Sequence, residues 1–482
     1  PMAIQLAHFF TTDSCLTFFV SLTLLLAMRA IDSGQRRAFL ICGIGFGLAM
    51  ATKGSVFTLS GVVAVALFYA AWIRRSTFPA WLEAAAWTAE RGCLAVLGAL
   101  ASFAIFEPYA LVRPSTYVDQ IRNQSDIIRG IFDVPFTRQY IGTTPVVYQI
   151  EQIFRWGYGP VAGILIAIGT IVMARSVFPK PNSAVVILLA WFAGYGLVIA
   201  IPETKFLRYL APLIPVFAVM AGLAIVSIRD WFARRNWQMI AKIAPAGLLI
   251  GVGLWTAAFM HIYAETNPRI EASQWMYSNI PSGSVLSSEY WDDSLPLDLS
   301  PALNAGAYGF TWTSFDMYAN GETSTDTADN IYANIQSVDY IVMSSNRIID
   351  SVESSPWRYP VQIEYYHLLQ EGKLGFTLIG DFANDPEFLG VSINDQSADE
   401  SFINYDHPQV LIYQKTSTLE KTDYDALMAT AVAQPVSNTR HAPSDTIMLD
   451  KPVSELPVVN DARWSASVTD NSLLALGWWV VF

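Results

Sequence analysis

The sequence predicts an α-helical polytopic membrane protein that carries an exported α/β soluble domain. Three observations predict it. The chain is 53% hydrophobic with a mean hydropathy of +0.34, too apolar for an ordinary soluble enzyme. Up to about Tyr263 the apolar residues come in long runs, whereas from about 267 to 471 the composition is that of a soluble domain. The net charge of −12 divides in the same place: 20 of the 29 basic residues precede Glu265, and 30 of the 41 acidic residues lie from Glu265 onward. Cys15, Cys42 and Cys93 all lie in or beside apolar runs, so a disulfide framework in the polar part is excluded.

The expected organisation is a transmembrane region at 1–263, an α/β domain at 267–415, a linker at 416–470 rich in Ser, Thr, Pro and Asp, and the start of a further span at 472–482. The chain begins at Pro1 without a signal-peptide n-region and ends in an apolar run. The expectation is an internal piece of a longer protein, truncated at its N-terminus.

A span needs about 20 mainly apolar residues. About eight stretches qualify in order: 14–28, 38–50, 55–73, 93–106, 157–174, 183–201, 209–228 and 243–263. The second and fourth are short and rich in Gly or Ala, which suits helices that are tilted or buried inside the bundle. Alternate loops hold Arg29, Arg36 and Arg37; Arg74, Arg75 and Arg91; Arg175 and Lys180; and Arg229, Arg234, Arg235 and Lys242. Basic loops mark the cytoplasmic side. The opposite, outer side then carries residues 8–13, the loop 107–155, the segment 202–208 and the whole acidic domain. Within that domain, helices at 266–280, 331–337 and 361–370 alternate with strands at 284–288, 340–343, 376–379 and 410–413, an α/β pattern.

The unusual polar residues lie on the predicted outer side. Asp13 stands at the mouth of the first apolar run, five residues after His8. A charge at a bilayer core costs roughly 2.5–3.5 kcal/mol on insertion scales, which makes such a residue a functional candidate. The alternative is a helix cap, with Asp13 accepting backbone N–H bonds. One His and one Asp lack the further ligands a metal site needs. Lys53 interrupts two apolar runs, either snorkelling to the interface or neutralising a phosphate. The loop at 107–155 opens with Glu107, Pro108 and Tyr109, and residues 117–131 read as an amphipathic interfacial helix. That helix is either a surface strut or a place where Arg122 or Arg129 meets a lipid phosphate. Glu203, Lys205, Arg208 and Tyr209 crowd the outer start of a span that Pro212 and Pro215 interrupt, which frees backbone groups that must find partners. In the acidic domain, Glu289, Trp291, Asp292, Asp293, Asp406 and His407 are open to three readings: a glycosidase-like site, a carbohydrate-binding or acceptor-positioning surface, or a loop of solvated acids.

Together these stretches resemble the lipid-linked-sugar glycosyltransferases of family 39 and their relatives, among them protein O-mannosyltransferases and lipid A aminoarabinose transferases. The resemblance rests on His8-Phe9-Phe10-Thr11-Thr12-Asp13, Ala51-Thr52-Lys53-Gly54, Phe106-Glu107-Pro108-Tyr109-Ala110-Leu111 and the run from Lys205 to Pro215. It covers roughly residues 1–263. It implies a GT-C type bundle, a polyprenyl-phosphate-linked sugar donor, a glycan, lipid or protein acceptor, and transfer at the outer face with inversion. It further implies a general-base carboxylate in a first outer loop that would precede Pro1, with Asp13 matching the acidic residue of the next outer loop. Trp291-Asp292-Asp293 and Tyr405-Asp406-His407-Pro408 look like a domain of prokaryotic members, which implies a prokaryotic plasma membrane.

Such a reaction needs a base for the acceptor proton and cations for the phosphate. Asp13 and His8 are the catalytic candidates. Lys53, Arg122, Lys205 and Arg208 are the donor-phosphate candidates, and Glu107, Tyr109, Glu203 and Tyr209 the substrate-binding ones. A divalent cation is compatible with this inventory and not required by it. The acidic domain repels nucleic acid, which removes that class of partner. Two other functions compete. A transporter or flippase would place polar groups near the midplane and show repeats, and neither is seen in the sequence. A non-catalytic scaffold would bind glycans through the exported domain.

Overall fold

In the computed structural model, which describes residues 1–9, 11–179 and 181–442, the chain divides into two units, one of residues 1–129 and 145–253, the other of 130–144 and 254–442. The first unit is helical. Helix α1 (Met2–His8) leads into α2 (Thr12–Ser33), α3 (Arg36–Thr52), α4 (Leu59–Ile73) and α5 (Trp81–Phe106). Gly34 turns α2 into α3 in the left-handed region at φ +63°, where its N–H bonds the Ala30 carbonyl at 2.9 Å. Pro108 and Pro114 stand at the starts of α6 (Pro108–Val112) and α7 (Pro114–Ile128), where a missing N–H costs nothing. Then come α8 (Val147–Gln152), α9 (Gly159–Arg175), α10 (Ser183–Ala200), α11 (Ile214–Arg234) and α12 (Gln238–His261). Helix α2 is the hub and packs against α3, α4, α10, α11 and the 3-10 segment Leu207–Leu213.

A helix therefore stands at each of the eight expected spans. Among the described residues, six stretches are long and apolar enough to cross a membrane: Thr12–Ser33, Gly54–Ile73, Trp81–Phe106, Ser183–Ala200, Leu207–Arg234 and Gln238–His261. The chain is a multi-pass membrane protein. Helices α3 and α9 have 17 residues each and fall short of that length. The fourth span is longer than its apolar run. Helix α5 begins at Trp81 because Arg91 is absorbed by pairing with Glu90 and stacking on Trp87, its guanidinium 3.9 Å from the ring centroid. It is also peripheral rather than enclosed, burying only Ala95, Gly98 and Ser102.

The glycines explain the close helix pairs. A Cβ at Gly43 would overlap the Ala95 carbonyl, one at Gly98 the Leu40 carbonyl, and one at Gly169 the Met220 carbonyl. Lipid tails are as apolar as Leu, so association inside a bilayer depends on such close packing. Gly169→Val is expected to separate α9 from α11 and to abolish recovery of folded, monodisperse protein; a normal melting curve for this variant would refute that packing.

The second unit is α/β. Its elements are α13 (Pro268–Asn279), β1 (Val285–Glu289), α14 (Ala305–Tyr308), β2 (Thr311–Phe315), α15 (Ser324–Ser337), β3 (Tyr340–Met343), α16 (Arg347–Glu353), α17 (Pro360–Gln370), β4 (Phe376–Phe382), the two-residue strands β5 (Glu387–Phe388) and β6 (Val391–Ser392), α18 (Glu400–Ile403), β7 (Val410–Lys415) and α19 (Lys421–Val432). The main sheet has the order β2-β1-β3-β7-β4, with β1 parallel to β2 and β3, and β7 antiparallel to β3 and β4. One face is closed by α15, α16, α17 and α19, around Ile335, Tyr365, Tyr366, Leu369 and Tyr424. The other is closed by α13, around Met276 and Leu286. Helix α15 starts at a capping box in which Thr323 and Asp326 satisfy each other's backbone N–H.

The expected linker contains structure, since α19 buries Tyr424, Met428 and Ala431 at i, i+4 and i+7. The rest of that segment beyond 442, and the expected span at 472–482, lie outside the described residues. Nor are Glu289, Asp292 and Asp406 a solvated loop, although the Asp293 side chain is 61% exposed and pairs with Arg269 at 2.9 Å. Glu289 bonds Tyr366, Asp292 bonds Ser345 and Arg269, and Asp406 bonds Tyr263 and His407.

His407 is fully buried between Asp406 at 2.6 Å and Asp395 at 3.0 Å. Burial opposes its charge, yet the bonds to the two carboxylates outweigh it and raise the pKa to about 9. Burial raises Glu289 to about 8 and Asp350 to about 7. Each group holds a proton in the folded state at a pH where the unfolded chain has released it. Stability therefore falls as pH rises. The His407 contribution is complete below its ordinary value of 6.5 and is lost through about 9. The melting temperature of this unit is expected to drop steadily from pH 6 to pH 9, and a flat profile would count against the charged His407.

Candidate functional site

Asp13 lies in the first turn of α2, where the helix dipole favours a negative charge. Thr11 is the N-cap, so Asp13 is not capping the helix. Its buried carboxylate accepts instead from the Lys53 ammonium at 3.0 Å. Lys53 sits at the end of α3, in extended backbone before the 3-10 turn Gly54–Thr58. The same ammonium lies 5.2 Å from the centre of the Tyr209 ring, a cation–π distance. Its side chain keeps 32% exposure, which leaves it open to a second anion.

Tyr209 is held from behind. Pro212 and Pro215 lack N–H groups, so carbonyls of the 207–213 segment lose their helical donors. Tyr195 Oη donates to the Tyr209 carbonyl at 2.9 Å, and Trp191 Nε1 to the Pro212 carbonyl at 3.0 Å. Trp191 and Tyr195, one turn apart on α10, stack with centroids 4.5 Å apart. Helix α7 closes over this corner. Thr204 N–H and Oγ1 donate to the Ile128 and Ile127 carbonyls at 3.1 and 3.3 Å. A Cβ at Gly54 would lie 3.7 Å from Tyr117 Oη and 3.9 Å from Ile121, so α7 also touches the Lys53–Gly54 turn. Four segments far apart in sequence thus converge: 11–13, 53–54, 117–128 and 204–209.

The other candidates make contacts close to themselves in sequence. Lys205 is buried and its ammonium donates to the Glu203 carbonyl at 2.8 Å. The Arg208 guanidinium stacks over Phe206 at 4.8 Å. Arg122 is exposed, with a loose contact of 3.6 Å to Asp119. Glu107 sits at the junction of α5 and α6, and Tyr109 is exposed on α6. His8 is exposed, and its Nδ1 meets the Ile4 carbonyl at 2.8 Å, closing the last turn of α1. Arg129 pairs with Asp126 at 2.6 Å on its own helix. The structure therefore joins Asp13, Lys53 and Tyr209 directly. Tyr195, Trp191 and Tyr117 escaped the sequence reading. The one available signal was the proline pair, which required donors for the freed carbonyls. Among the described residues no group of three or more His, Cys, Asp or Glu side chains is arranged to hold a metal ion.

Residues 1–108 match the family model for dolichyl-phosphate-mannose-protein mannosyltransferase. The match covers α1 to α5, and with them Asp13 and Lys53. It supports a membrane glycosyltransferase in general. The comparison with curated proteins gives no match.

Proposed function

We propose that this chain transfers a sugar from a polyprenyl-phosphate donor to a glycan, lipid or protein acceptor at the outer face of a prokaryotic plasma membrane. The α/β unit then lies on the extracytoplasmic side, as the basic alternate loops suggest. The observation that carries the reading is the ion pair between buried Asp13 and part-exposed Lys53 beside the Tyr209 ring, with Lys205 and Arg208 in the same segment as Tyr209.

In the reaction the acceptor hydroxyl loses its proton to a carboxylate, its oxygen bonds the anomeric carbon, and the bond from that carbon to the phosphate oxygen breaks. The phosphate leaves with the electron pair. Asp13 serves as base or as the acid that positions the acceptor. Lys53 fixes the Asp13 carboxylate and brings positive charge to the departing phosphate. Lys205, Arg208 and Arg122 supply further charge for the donor, and Glu107, Tyr109, Glu203 and Tyr209 surround the sugar. His8 lies at the rim.

The test is transfer of labelled sugar in membranes supplied with a polyprenyl-phosphate hexose. Arg208→Ala is expected to raise KM for the donor by about tenfold with a smaller change in kcat, as expected for loss of one charged contact. Transfer from a nucleotide sugar without any lipid-linked intermediate would sink the proposal.

A further inference from the structure

The α/β unit presents a rigid aromatic platform at the carboxyl end of β1, and we infer that it is a binding site for a neutral oligosaccharide. In open α/β sheets, ligands favour the crevice beyond the carboxyl ends of parallel strands. Here the chain leaves β1 at Glu289 and exposes two large rings in succession: Tyr290 is 50% exposed and Trp291 45%. Their centroids are 5.7 Å apart at an interplanar angle of 69°, and Phe136 stands 6.4 Å from Trp291.

This loop is not a loosely held surface turn. Trp291 adopts φ +77°, a region that a bulky side chain rarely enters. Backbone strain of this kind persists only where the surroundings over-determine it, and it clusters at ligand sites. The surroundings are visible on both sides. Tyr290 N–H bonds the Phe315 carbonyl at 2.9 Å, and Asp292 N–H the Glu289 carbonyl at 3.1 Å. The Arg347 guanidinium donates to the Trp291 carbonyl at 3.0 Å and is itself fixed by Glu400 at 2.6 Å. The Asp292 side chain is tied to Ser345 and, at 3.2 Å, to Arg269. Buried anchors thus alternate with exposed rings. Tyr405, 52% exposed, flanks the platform with its ring 5.8 Å from the Arg347 guanidinium.

The chemistry selects the ligand class. Ring faces match the C–H face of a pyranose, while Asp293, Arg347 and the Tyr405 hydroxyl can meet its hydroxyls. A strongly acidic surface disfavours an anionic ligand, since 30 of 41 acidic residues lie from Glu265 onward. The choice of sugar over another neutral ligand rests on the glycosyltransferase reading. The site itself is read by binding alone, so failure of transfer and failure of this site are separate results.

The test uses the full chain in nanodiscs, free of maltoside detergent, titrated with mannohexaose, cellohexaose and chitohexaose. At least one is expected to bind, and Trp291→Ala or Tyr290→Ala to weaken it by about tenfold or more, as for a central aromatic anchor. Trp291→Gly relieves the backbone and is expected to lose binding with an unchanged or higher Tm. Three results would overturn the inference: no binding of any of the three sugars, undiminished binding by both alanine variants, or quenching by brominated lipid that is smaller in Trp291→Phe than in wild type, which would place the ring in the bilayer interface.

Discussion

Asp13→Asn, assayed with a polyprenyl-phosphate sugar, is expected to lose about 10²-fold or more in turnover, the scale of a lost general acid–base group. Asp13 is buried in the first turn of an apolar helix, and its carboxylate faces the Lys53 ammonium. A purely structural pair at this place would be replaceable by two apolar side chains of similar volume, often without loss of stability. Asp13→Leu/Lys53→Met therefore separates the two roles. A structural pair predicts that this double variant folds and works. A working carboxylate predicts that it folds and is inactive. Asparagine keeps the shape and the hydrogen bond but not the charge, so a near-normal rate for Asp13→Asn would remove Asp13 from the chemistry. The two single variants are expected to be non-additive, because each acts on the other's partner.

Much of the fold was legible because it follows from hydropathy and period. The eight apolar runs correspond to eight helices, and β3 occupies the residues expected of it, since a four-residue run fully buried on both sides has little freedom in its ends. Strand β2 was missed for the converse reason. It is an edge strand whose Thr311 and Trp312 are exposed, so its pattern carries little of the alternation that marks a half-buried strand. The start of α5 was missed because Glu83, Glu90 and Arg91 break the apolar run, although a helix tolerates charges that pair at its surface.

The site was legible as chemistry and not as geometry. A charge inside an apolar run stands out in a sequence, so Asp13, Lys53 and Lys205 were recognisable as unusual. Which of them meet depends on helix packing between residues 40 positions apart. Tyr195 was invisible for a different reason, since an aromatic residue in an apolar span looks like any other packing residue until a carbonyl needs its hydroxyl. Residues 130–144 show the same limit. They read as part of a loop between spans, yet they belong to the α/β unit.

That excursion is the basis of the largest expected stability effect. Asp133 accepts from three arginines: Arg138 through Nε at 3.2 Å and Nη2 at 3.1 Å, Arg358 at 2.6 Å and Arg440 at 2.7 Å. The three guanidinium side chains are only 8%, 13% and 9% exposed. Asp133→Ala would leave three nearly buried like charges facing one another, and breaking a buried ion pair from one side costs about 3–5 kcal/mol. For a unit of this size that corresponds to a fall in Tm of roughly 10 °C. Burial opposes the Asp133 charge, but the bonds and charges of Arg138 and Arg358 hold its pKa at about 2. Its contribution is therefore complete above the ordinary value of 3.8 and is lost only as pH falls through about 2. Wild type should keep this anchor at pH 4, and the Asp133→Ala deficit should be nearly the same at pH 5 and pH 7. Limited proteolysis gives a second readout, since cleavage within 130–144 should accelerate when the clamp is removed. Arg440→Met, which removes one of three cations and leaves the carboxylate paired, should cost much less than Asp133→Ala. Equal losses in the two variants would mean that the carboxylate is not the centre of the cluster.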